Sequence, residues 1–201
     1  MIAENSSFNQ CKRCGSCCKK GGPALHKTDL PLLEKGYIAP NHLVTLRKGE
    51  LAYHPVEHSL IELPAEMIKI KGNEEDWTCG FYDERGKSCL IYAHRPLECE
   101  KFACWDTGEI EALFLKDLLG REDIIPKRSS LFEVLVAYDE KLPPRMVYSL
   151  LIEKKEKDLV SLSEFDRLFR SKVGENYGLS QEEMHFFLGR PIARLIEQYR
   201  S

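Results

Sequence analysis

Apolar residues in the last part of the chain fall at helical spacing. Leu162, Phe165, Leu168 and Phe169 form one stripe, and Ile192, Leu195, Ile196 and Tyr199 form another. Each set lines one face of a helix and is most simply core. Ser161 with Glu164, and Ser180 with Glu183, have capping-box spacing. Val160/Phe165 and Leu179/Met184 stand as the flanking hydrophobic staples, so a helix start is expected at each serine. Residues 145–158 read as a further helix after the Pro143-Pro144 break, with the charged run 153–158 as a solvated end.

The earlier part has shorter periods. TDLPLLEKG predicts a helix capped near Thr28 or Asp29 and stopped by Gly36, with Pro31 in its first turn. NHLVTLRKG predicts another, opened by Asn41 and closed by Gly49. Residues 67–71 alternate apolar and charged, the pattern of a half-buried strand. CGFYDERGKSCLIY reads as a hairpin around a turn at 83–86, which would bring Cys79 and Cys89 together. Arg95-Pro96 then opens a short helix. The expectation is an α+β fold. Residues 1–105 make a cysteine-rich region with a small antiparallel hairpin or sheet, and residues 106–201 a helical region packed on it as one compact unit.

Composition narrows the function. The 201 residues are 43% hydrophobic and 30% charged, with a net charge of −3, an ordinary globular balance. Residues 1–105 carry 14 basic and 14 acidic side chains, and residues 106–201 carry 15 and 18. Neither part has the basic surplus of a nucleic-acid or anionic-membrane binder. The longest apolar run, LFEVLVAY, contains a glutamate and is far short of the roughly 20 residues of a membrane span. The start of the chain shows no apolar leader segment. A cytoplasmic protein is therefore expected, with no membrane and no nucleic-acid partner.

Eight cysteines change that picture. All lie between Cys11 and Cys104, and the last 97 residues have none. A chain of this size buries roughly 70% of its unfolded surface and does not need disulfides to own a core. Clustered thiols in a reducing compartment point instead to metal ligation or redox chemistry. Cys11, Cys14 and Cys17 stand at C-x₂-C-x₂-C spacing, which can occupy three corners of an iron–sulfur cube with a remote fourth ligand, and the same turn serves zinc. Cys18 is adjacent to Cys17, so the two are expected to diverge, with Cys18 turned to a second centre, free, or buried. Cys79, Cys89, Cys99 and Cys104 form the second set. At least one of them is expected to share a centre with Cys11, Cys14 and Cys17. Trp77, Phe81, Tyr82, Tyr92, Phe102 and Trp105 cluster around that set and are expected to form an apolar shell. Arg95 could offset the negative charge of a thiolate centre, and His94 is a weaker candidate ligand.

CKRCGSCC, followed by CLIYAHRPLEC and KFACW, resembles the CxxCxxCC cysteine-cluster family of the YkgJ type over roughly residues 11–105. Relatives usually carry a basic residue where Glu100 stands. The resemblance implies a zinc- or iron-chelating domain, sometimes called an iron–sulfur oxidoreductase, and does not imply an established reaction. A similar cysteine motif in flagellin lysine methylases implies protein modification as a further reading.

Other motifs fail on context. His54, Glu57 and His58 match H-x-x-E-H, but a protease needs both histidines on one helical face, and Pro55 interrupts it. Radical S-adenosylmethionine chemistry wants C-x₃-C-x₂-C, and Gly21 stands where its third cysteine would be. No phosphate-binding glycine loop is present. The reading is a cysteine-ligated metal-binding protein, with an iron–sulfur cluster first and zinc second. Its role would be redox or metal-handling, or else a structural module for a protein partner.

Overall fold

The computed structural model describes residues 11, 13–55, 57–73 and 76–200; the start of the chain, read above for a leader, lies outside them. The fold is α+β. Strands β1 (Leu43–Leu46), β2 (Leu51–His54), β3 (Ser59–Glu62), β4 (Met67–Ile70), β5 (Tyr82–Asp83) and β6 (Ser88–Cys89) pair antiparallel as β1–β4, β2–β3 and β5–β6. Short helices α1 (Leu30–Glu34), α2 (Leu97–Lys101), α3 (Gly108–Leu113) and α4 (Arg121–Ile124) lie among and after them. Longer helices follow: α5 (Ser130–Lys141), α6 (Pro144–Ile152), α7 (Glu156–Tyr177), α8 (Gln181–Phe187) and α9 (Ile192–Arg200). Among the described residues no helix is long and apolar enough to cross a membrane.

Several expected elements are present. Residues 67–70 are a strand, the 79–92 segment carries the β5–β6 hairpin, and Pro96 is the residue before α2. Ser180 caps α8 in a capping box, its Oγ accepting from Glu183 N–H at 3.2 Å. Gly36 ends the α1 region with φ +74°, a backbone that favours glycine.

The expected helix at 41–49 is instead β1. Leu43 and Thr45 are buried in β1, and Arg47 just beyond it continues the period of two, which the arginine disguises in sequence. Leu43 pairs with Ile70 and Leu46 with Met67, and Thr45 Oγ1 donates to Phe186 O at 2.6 Å, tying β1 to α8. The capping box expected at Ser161 and Glu164 is also not a helix start. Both lie inside α7, which begins at Glu156, and Ser161 Oγ donates back to Lys157 O. The expected helix over 145–158 divides instead into α6 and the start of α7. The break falls at Lys154, held at φ +55°. The β2–β3 hairpin lies where H-x-x-E-H stands and was not anticipated.

One apolar cluster joins the cysteine-rich and helical regions, from Leu25, Leu43 and Ile70 through Phe81 to Leu135, Val147, Phe186 and Leu195. Buried polar groups knit its helices. Tyr138 Oη and Arg170 Nε donate to Asp166 Oδ1 at 2.6 and 2.8 Å, and Asp166 Oδ2 accepts from Ile192 N–H at 2.8 Å. Arg121 reaches Glu66, Asp139 and the carbonyl of Phe187.

Candidate metal centre

The first cysteine run is a tight turn. Lys19 N–H donates to Gly15 O and Lys20 N–H to Cys17 O, which leads into a 3-10 turn over Cys18–Lys20. Gly15 makes this possible twice over. It sits at φ +75°, and a Cβ there would lie 2.3 Å from Tyr82 Oη. The turn therefore seats directly on the Tyr82 ring of β5. A backbone bond closes the junction, Cys79 N–H donating to Cys18 O at 2.8 Å. The hairpin then sets Cys89 opposite Tyr82, and α2 supplies Cys99.

These elements bring five thiols, Cys17, Cys18, Cys79, Cys89 and Cys99, into one electrostatic neighbourhood. Burial pushes the Cys18 thiol up to about 12, and Cys17, Cys79 and Cys89 add to the shift. Burial also raises Cys79, with Cys89 and Cys17 contributing against a backbone N–H donor that lowers it. Cys99 rises chiefly through burial, then through Cys79, Cys17, Cys18 and Cys89. Burial first and neighbouring sulfurs second keep Cys18, Cys79 and Cys99 as neutral thiols without metal.

The expected divergence of Cys17 and Cys18 is not found. Their sulfurs are 4.0 Å apart, close to the S···S edge of about 3.8 Å in a tetrahedron with metal–sulfur bonds of about 2.3 Å. Cys17 has helical backbone angles and leads into the 3-10 turn, so neighbouring side chains need not point apart. Cys17 is itself exposed, as are Cys11, Cys14 and Cys104. Cys11 Sγ accepts from Arg13 N–H, and Cys14 Sγ lies 3.2 Å from Ser16 Oγ.

Among the described residues no group of three or more His, Cys, Asp or Glu side chains is close enough to hold a metal ion as they stand. The donor chemistry nonetheless fits. Five soft sulfur donors, from the first turn, the hairpin and α2, suit zinc or iron–sulfur centres rather than hard cations.

The surrounding candidates divide. Phe81 is buried, but Trp77 and Trp105 are 48% and 42% exposed, so they do not wall off the site as expected. Arg95 stacks on Tyr92 with its guanidinium carbon 3.9 Å from the ring centroid, and Arg13 packs on the same ring at 4.1 Å. Tyr92 thus ties the first cysteine run to the segment before α2. His94 stacks flat on Tyr37 at 3.6 Å. His54 and His58 lie at the two ends of the β2–β3 turn, with Glu57 N–H donating to His54 Nδ1. The protease reading accordingly has no helix to stand on.

Sequence reasoning passed over Glu98, although it lies inside the R-P-L-E-C element. Its Oε2 accepts from Ala24 N–H at 2.7 Å, joining α2 to residues that follow the first cysteine run. A carboxylate next to a cysteine was the available signal.

The family model for the CxxCxxCC domain, described as "Putative zinc- or iron-chelating domain", matches residues 10–116. No curated protein and no solved structure matches the chain.

Proposed function

The chain belongs to the CxxCxxCC family of zinc- or iron-chelating domains, and from that premise we propose that it carries an iron–sulfur cluster in a redox or metal-handling accessory role. The observation that carries this reading is the convergence of cysteine-bearing segments: the Cys17 and Cys18 sulfurs stand 4.0 Å apart, Cys79 N–H donates to Cys18 O, the hairpin carries Cys89, and α2 carries Cys99. A tetrahedral zinc ion takes four ligands. An iron–sulfur cluster takes four cysteines as well, and the C-x₂-C-x₂-C spacing of Cys11, Cys14 and Cys17 with remote cysteines is what favours it. When bound, the cluster supplies one-electron chemistry. The protein's own contribution is to hold the sulfurs on rigid turns and to limit water around Cys79 and Phe81. An accessory role implies a protein partner, and reduced thiols suit the cytoplasm.

Zinc remains the second reading on one specific ground. Cys18, Cys79, Cys89 and Cys99 are the least exposed thiols, and four enclosed thiolates by themselves complete a closed structural zinc site. Anaerobic purification with an absorption spectrum and iron, sulfide and zinc analysis decides. A brown protein with iron and sulfide in equal amounts supports the cluster. A colourless protein with stoichiometric zinc overturns the cluster and leaves the zinc module.

A further inference from the structure

Helix α2 carries Cys99 on its third residue, and its N-cap residue, Pro96, makes no side-chain cap. The first turn is held from outside, by residues 24–29. Asp29, 4% exposed, uses both oxygens: Oδ1 accepts from Leu97 N–H at 2.8 Å and Oδ2 from His26 N–H at 2.9 Å. Glu98 Oε2 accepts from Ala24 N–H, and Glu98 Oε1 faces His26 Nε2 at 3.5 Å. His26 is 1% exposed, its Nδ1 lies 2.8 Å from Lys116 O, and its Nε2 has no hydrogen-bond partner. A buried ring nitrogen aimed at a carboxylate needs an explanation.

Segment 24–29 is itself anchored on both sides. Leu25 N–H donates to Ile68 O, and Leu119 N–H donates to Leu25 O. Bridges pair Ala24 with Lys69 and His26 with Leu118. Whatever fastens α2 to this segment therefore fixes Cys99 against the sheet that leads to Cys79.

We propose that His26, Asp29 and Glu98 form a latch that keeps Cys99 in place beside the other thiols, so that metal retention depends on three positioning residues outside the sulfur set. The proposal rests on the reading of these thiols as a metal centre. The latch has its own pH signature. The Glu98 carboxylate holds His26 above its usual 6.5, against burial, with Lys116 O and Asp29 adding to the rise. Lys69, on β4, also interacts electrostatically with Glu98. With a raised pKa the ion pair is complete below about 6.5 and is lost as pH rises through the folded value.

The test follows zinc release from the zinc-loaded full chain to a colorimetric chelator between pH 6.5 and 9. The variants are Glu98→Gln and Cys99→Ser. Glutamine keeps an acceptor for Ala24 N–H and removes the charge facing His26. Glu98→Gln should release zinc about tenfold faster than wild type at pH 6.5, the scale of losses when an outer partner of a metal ligand is removed. That ratio should fall toward one by pH 9, because deprotonated His26 no longer pairs in wild type. Taking the ratio cancels the ordinary pH dependence of thiolate ligands, which both proteins share. A ratio of one throughout, or one that does not change with pH, overturns the latch. Zinc retained in full by Cys99→Ser overturns the metal-centre reading of Cys99 and the latch with it. Should Glu98→Gln lose its helical circular dichroism, the ratio for His26→Gln, which cannot titrate, decides by the same criteria.

Discussion

Single residues set the chemistry of this protein through burial. Cys18, Cys79 and Cys99 all have raised pKa values with burial as the leading cause, so on the proposed reading each would give up its thiol proton on binding metal. Zinc added to the metal-free protein in weak buffer should release protons, and apparent affinity should rise with pH, as an indicator dye will show. Affinity independent of pH would mean that the sulfurs are not the ligands. Gly15 is a second residue-scale constraint. Alanine there meets both a left-handed backbone and the Tyr82 ring, so Gly15→Ala should lower bound metal and cost about 1–3 kcal/mol in a denaturant titration. At this scale the sequence was open about which residues matter and silent about their directions. The eight cysteines were legible from spacing. The approach of Cys17 to Cys18 was not, because it depends on the backbone angles of one turn. His26 and Asp29 were invisible for another reason: they reach Leu97, Glu98 and Lys116 across 68 to 90 residues of chain.

At the scale of elements, local grammar and tertiary contact compete. Ser161 and Ser180 have the same S-x-x-E signature, yet Ser180 caps α8 while Ser161 lies a full turn inside α7. Ser180→Ala should therefore cost about 1 kcal/mol, and Ser161→Ala should stay within about 0.5 kcal/mol of wild type, both read as shifts in urea midpoint. Equal losses would mean that α7 begins later than Glu156. The 41–49 segment shows the same competition. Asn41 and Gly49 frame a helix or a strand equally well, and pairing with β4 decided it. β-Branched Val44 and Thr45 suit the pleated surface, but this signal is too short to stand against helix-like ends. The β5–β6 hairpin was legible because turn residues and aromatic flanks agree.

The whole molecule is joined by an apolar cluster that runs from Leu25 to Ile196, and no cysteine lies beyond Cys104. The helices α5 to α9 thus carry no thiol of their own, although Cys79 belongs to the same apolar cluster and Cys18 and Cys89 pack against it. Chelation should leave most of the far-ultraviolet helical signal while amide exchange rises around Cys17, Cys79 and Cys99. Complete loss of helix on chelation would show that metal binding and folding are one event. The Asp166–Arg170–Tyr138 network is the point where the helices are most exposed to a single change. Asp166→Ala strands a buried guanidinium and should cost about 3–5 kcal/mol, measured by thermal or denaturant unfolding. A loss under about 1 kcal/mol would mean that water reaches Arg170. The α+β class was legible from the way helical stripes and cysteines segregate along the chain. The shared core was less so, since its contacts pair residues more than a hundred positions apart.

On the proposed reading, Cys17, Cys18, Cys79, Cys89 and Cys99 hold the metal. The most direct measurement is metal content per chain, by elemental analysis after anaerobic purification, in the eight single Cys→Ser proteins. Substitution of each of the five should remove at least half of the bound metal, while Cys104→Ser should retain more than any of them. Full metal content in Cys79→Ser and Cys99→Ser would contradict the account.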